Sequence, residues 1–121
     1  MIKFGIYAAF GAVFGSLARL EVAYLMQRPS ETSFPWATFT VNIIGALIIG
    51  LVASQPSIMN NEARRHFVVT GILGGFTTFS AIAVETLQLA TRPIISITYV
   101  IATFAVGIAA THIGSFVGAK K

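Results

Sequence analysis

The chain has 121 residues, of which 55% are hydrophobic and only 10% charged, against about 25% charged in a soluble domain. With a mean hydropathy of +0.82 it reads as a membrane protein. Four or five spans of about 20 apolar residues would use nearly all of it and leave no length for a soluble catalytic domain. The net charge of +4 comes from eight Lys and Arg set singly or in pairs between apolar stretches, not from the basic face that nucleic acid requires, and the absence of cysteine excludes disulfides, thiol chemistry and Cys-based metal sites.

The first apolar run covers 4–26. It is too long for the core of a signal peptide and three similar runs follow it, so it is predicted to span. Arg19 and Glu21 interrupt it two positions apart, a spacing that does not bring them face to face on a helix, and both side chains are long enough to snorkel toward a span end. The second run, 36–54, carries Thr38 and, one turn on, Asn42. An amide at that depth has two donors and an acceptor that lipid cannot satisfy. Either an interhelical hydrogen bond or a place on a pore would satisfy it.

A polar link at 60–66 leads to the third run, 67–90, which contains Gly71-Ile72-Leu73-Gly74-Gly75-Phe76-Thr77-Thr78-Phe79-Ser80. Paired glycines followed by paired β-branched threonines make poor helix, so this span is predicted to break near its middle. Irregular backbone at membrane depth survives only where protein, water or an ion meets it. Glu85 lies one or two turns beyond, as a vestibule residue or an anchor for the helix end, whereas Glu31 and Glu62 fall in links.

In the fourth run, 94–118, Tyr99, Thr103, Gly107, Thr111 and Ser115 recur every four residues. Neighbours in that series share a face, and the stripe winds slowly around the helix; the alternative use of such hydroxyls is bonding back to their own helix. His112 beside the stripe has no second His or Asp at metal spacing and is read as a packed or interfacial side chain. Small residues at helical spacing, Gly11 with Gly15, Ala46 with Gly50 and Gly114 with Gly118, mark faces where helices approach closely.

Runs this long and unpatterned exclude a barrel, so the fold class is an all-α membrane protein: one four-helix transmembrane domain over 1–121, multi-pass in the cytoplasmic membrane. Four spans put both termini on one side with the 60–66 link. Lys3, Arg64, Arg65, Lys120 and Lys121 then face Arg28 and Arg92 opposite, which favours cytoplasmic termini. No nucleophile, base and orienting group come together, and there is no phosphate loop, so no enzyme activity is expected. Hydroxyls, an amide, freed backbone groups and the electropositive ring edges of Phe76 and Phe79 instead suit a small anion that must be bound and released.

The stretches Gly11–Arg19, Thr38–Gly45 and Gly74–Ser80 together resemble the first-, second- and third-helix patterns of the Fluc fluoride channels, also called the CrcB family. The resemblance runs over nearly the whole chain. It implies a dual-topology protein assembled as an antiparallel dimer, with two interfacial pores that export fluoride passively and so protect against its toxicity. It also implies a structural Na⁺ on the dimer axis, held by the main-chain carbonyls of Gly74 and Thr77. Asn42 matches the family's pore asparagine, Phe79 the first of its two pore phenylalanines, and Tyr99, Thr103 and Thr111 its fourth-helix polar track; Thr38, Ser80 and Glu85 complete the expected anion path.

Two positions depart from the family pattern. Ile82 stands where a second phenylalanine is usual, and Gly107 where a hydroxyl is usual. Both changes remove groups that would face fluoride, so a homodimer competes with a heterodimer in which this chain is the non-identical partner. A small multidrug-type proton-coupled exporter would need a carboxylate near mid-membrane in the first helix, and Glu21 lies too near that helix's end.

Overall fold

The computed structural model describes residues 1–120; Lys121, counted above toward orientation, lies outside the described residues. Among the described residues four helical spans are long and apolar enough to cross a membrane: Ile2–Leu25, Trp36–Ala53, Glu62–Thr91 and Pro93–Ala119. A short helix, Pro56–Met59, sits in the link between the second and third. Proline at a first helical position, where its missing N–H costs nothing, opens both this turn and the fourth span.

The third span is composite. It begins earlier than hydropathy suggests, because Asn61 caps Glu62–Arg65 by accepting from the Arg64 N–H at 3.0 Å. It then widens into a π-helix over His66–Leu73, closes with Gly74–Phe76 and breaks. Thr77 (φ −81°, ψ 157°) and Thr78 (φ −151°, ψ 118°) are extended. Helix resumes at Phe79–Gln88, where the Thr78 hydroxyl accepts from the Ala81 N–H at 3.2 Å, and a 3₁₀ turn, Leu89–Thr91, ends the span. The predicted break is thus present, and the second threonine caps the helix that follows it.

Small residues decide which helices pair. The first span lies on the first half of the third: a Cβ at Gly15 would run into the Ile72 carbonyl and stand 2.8 Å from the Phe76 nitrogen. The second span lies on the fourth in the same way, with Gly114 against the Leu47 carbonyl. The close-approach faces read from the sequence are therefore used within one chain. Where the third helix resumes it changes neighbours. Ile82, Leu89 and Tyr99 form a buried cluster there, covered by Phe34, Phe39 and Ile95, and the Phe34 ring meets Tyr99 edge-on at 5.4 Å.

Only 11% to 22% of each spanning stretch is buried inside the chain, so most of the lateral surface is left for lipid or another subunit. Phe10, Phe14 and Leu17 on the first span and Ile101, Phe104 and Ile108 on the fourth point outward.

Candidate ion path

The break organises the site. Extending Thr77 and Thr78 takes peptide groups out of the helical ladder, and at this depth each unpaired group costs several kcal/mol. Asn42 repairs the damage: its Oδ1 accepts from the Thr78 N–H at 2.8 Å and its Nδ2 donates to the Thr78 carbonyl at 3.0 Å. A side-chain amide carries its acceptor oxygen and donor nitrogen side by side, so a single Asn serves both groups of one residue. This is the interhelical role anticipated for Asn42, with backbone as the partner, and the same residue also lines the groove described below.

Other groups at the break are released or re-partnered. The usual helical donor to the Gly74 carbonyl is the Thr78 N–H, now engaged by Asn42; that to Thr77 is the Ala81 N–H, now held by the Thr78 hydroxyl. The Gly75 carbonyl accepts from Arg19 Nε at 3.1 Å. Arg19 therefore turns to the third span rather than snorkelling to the span end. Gly11, Gly15 and Arg19 stand four apart on one face, and the glycines bring that face against the third span, so the guanidinium reaches a freed carbonyl there.

Two hollows meet at Thr78, the one residue that lines both. The larger is an open groove of about 450 Å³ that gathers Asn42, Phe79, Thr103 and Thr111 of the predicted path, with Ile82 and Gly107 in its wall. Phe79 is 71% exposed and supplies a free ring edge. The smaller, about 240 Å³, lies on the other side of the break and is lined by Arg19, Thr38 and Glu85. Thr38 donates to Glu85 Oε1 and the Tyr99 hydroxyl to Oε2, each at 2.6 Å. Ser80 opens onto a neighbouring surface cleft with Arg19, Arg28 and Glu85.

Tyr99 is fully buried and reaches this region only through Glu85, and Thr103 is buried too. The fourth-span hydroxyls bond back to carbonyls: Thr103 to Tyr99 at 2.7 Å, and Thr111 to Gly107 at 3.0 Å and to Ala46 at 3.1 Å. The stripe thus divides, with Thr103 and Thr111 at the groove and Tyr99 behind it. Sequence reading missed the Arg28–Gln88 hydrogen bond, which joins the first link to the third span and has no local pattern to betray it. An adjoining hollow of about 280 Å³, sharing Asn42 and Thr77 with the groove, is also lined by Gly45, Leu73 and Gly74. Among the described residues no three His, Cys, Asp or Glu side chains gather to hold a metal ion.

The break expected in the third span is present, braced by Asn42, and an amide, hydroxyls and an aromatic edge lie around one groove. The family model described as CrcB-like protein, Camphor Resistance (CrcB), matches residues 6–115. The chain belongs to the CrcB family. Among its relatives, the fluoride-specific ion channel FluC of Agrobacterium fabrum is 37% identical over 122 residues, covering 98% of this chain and 97% of its own length. That of Allorhizobium ampelinum is 38% identical over 117 residues, 93% of this chain and 94% of the relative. That of Opitutus terrae is 41% identical over 88 residues, 69% and 67% respectively.

Within the CrcB fold the two departing positions have different surroundings. Ile82 is 7% exposed and packs with Leu89 and Tyr99, turning only part of its side chain to the groove. Gly107 borders open space: a Cβ there would meet nothing nearer than Ile43 Cδ1 at 3.9 Å. Unlike Gly15 and Gly114, it is not required for helix packing.

Proposed function

We propose that this multi-pass membrane protein is a subunit of a fluoride-selective passive ion channel that exports fluoride and protects the cell against its toxicity. The observation that carries the reading is the braced break at Thr78, with the groove on one side and the Arg19–Thr38–Glu85 hollow on the other, in a chain whose near full-length relatives bear the name fluoride-specific ion channel. The helix that resumes at Phe79 directs its first-turn N–H groups and the positive end of its dipole at the junction, which favours an anion there. Asn42 Nδ2 has a second hydrogen to offer, and the Phe79 edge is electropositive. These donors replace water around a small anion without a fixed charge to trap it.

The path closes when a second copy, inserted in the opposite sense, covers the open groove in the cytoplasmic membrane. The carbonyls of Gly74 and Thr77 would hold a structural Na⁺ between the two copies. The donor set fits: both carbonyls have lost their helical donors, and neutral carbonyl oxygens suit a hard cation. A bound Na⁺ supplies charge that holds the two breaks together. Ile82 and Gly107 favour a second reading, in which the chain works beside a non-identical CrcB subunit. Expression in a bacterium lacking its own fluoride exporter tests the function: growth restored in fluoride medium supports it, growth restored only with a second CrcB chain supports the heteromeric form, and no rescue in either case contradicts both.

A further inference from the structure

We propose that His112 belongs to the anion path and that its protonation sets how readily fluoride enters the groove. The inference rests on the channel reading above. His112 lines the large groove next to Thr111, and its ring is exposed there. Its Nδ1 lies 2.9 Å from the carbonyl oxygen of Ile108, one turn back. A carbonyl only accepts, so this nitrogen carries the proton, and in the neutral ring Nε2 is left as a lone pair. A lone pair beside an anion path repels its cargo. Protonated, the same atom becomes a charged donor.

Among the described residues no other titratable group lines this groove. The second span has none along Trp36–Ala53. On the third, Glu85 lies on the far side of Thr78, held by Thr38 and Tyr99, and His66 stacks on Phe4 against the first span, which does not border the groove. The fourth span's other titratable side chain is the buried Tyr99, and Lys120 beyond its end sits over the Phe116 ring at 4.1 Å. The groove's charge therefore changes with one proton, between walls of low dielectric. A cleft charge of that kind raises counter-ion capture by about tenfold or more.

The test is fluoride efflux from liposomes carrying the purified wild-type chain, H112Q or H112K, read with a fluoride electrode from about pH 8 to about pH 5.5, with the leak of protein-free liposomes subtracted at each pH. The wild type is expected to speed up about tenfold on acidification, H112Q to give a flat profile, and H112K a flat profile at a rate well above that of H112Q. A shared profile for wild type and H112Q, or a wild-type rate that falls in acid, overturns the role of His112. Should H112Q fail to assemble, an H112K profile as steep as the wild type's does the same. Absence of wild-type efflux at every pH overturns the homomeric channel, and with it a role for His112 in a path built from this chain alone.

Discussion

Asn42 carries more of the site than any other residue, because it satisfies both backbone groups of Thr78. Replacing it with alanine leaves a donor and an acceptor bare, at about 1–3 kcal/mol each. Asn42→Ala is expected to lower the melting temperature in detergent, followed through the fluorescence of the single tryptophan, Trp36, and to abolish fluoride efflux. Asn42→Asp keeps the acceptor and loses the donor, and should fall between. Tyr99→Phe removes one O–H from Glu85 while keeping the ring among Ile82, Leu89 and Phe34. It should cost about 1 kcal/mol in stability and slow efflux several-fold, whereas an unchanged rate would make the Thr38–Glu85–Tyr99 cluster a packing feature only. Asn42 was legible as a polar group that needed a partner. The partner was not, because it is backbone, and backbone leaves no residue type to read.

The spans were legible as elements because hydropathy over about 20 residues reports the bilayer directly, and the break because Gly74-Gly75 and Thr77-Thr78 weaken helix on both sides of it. The π-helix over His66–Leu73 was not, since no residue in it separates a π turn from an α turn. Glycine spacing showed that helices approach closely but not which ones. The structure separates the glycines by what a Cβ would strike. Gly15→Ala and Gly114→Ala push a methyl into the carbonyls of Ile72 and Leu47 and should each cost about 1–3 kcal/mol. Gly107→Ala meets open space and should leave the melting temperature unchanged or raise it, as alanine is about 1 kcal/mol better than glycine in a helix. Equal losses at Gly107 and Gly114 would contradict the pairing of the second and fourth spans.

At the scale of the whole molecule, one chain is an incomplete object: its groove is open on one side, and most of each span's surface has no partner within the chain. On the reading proposed above, a second copy would answer both needs, and the carbonyls of Gly74 and Thr77, freed from their helical donors, would offer the two copies a shared cation site. Replacing Na⁺ by a bulky organic cation is expected to shift the purified protein from dimer toward monomer on size exclusion; a dimer indifferent to Na⁺ would remove the cation from this account. None of this assembly could be read from hydropathy, which treats lipid-facing and subunit-facing surfaces alike. The most direct test of the central claim is efflux from liposomes loaded with potassium fluoride and containing only this purified chain, repeated with chloride. The account expects rapid fluoride loss with chloride retained. Folded, dimeric protein that releases neither ion would contradict a homomeric channel, and one that releases both equally would contradict fluoride selectivity.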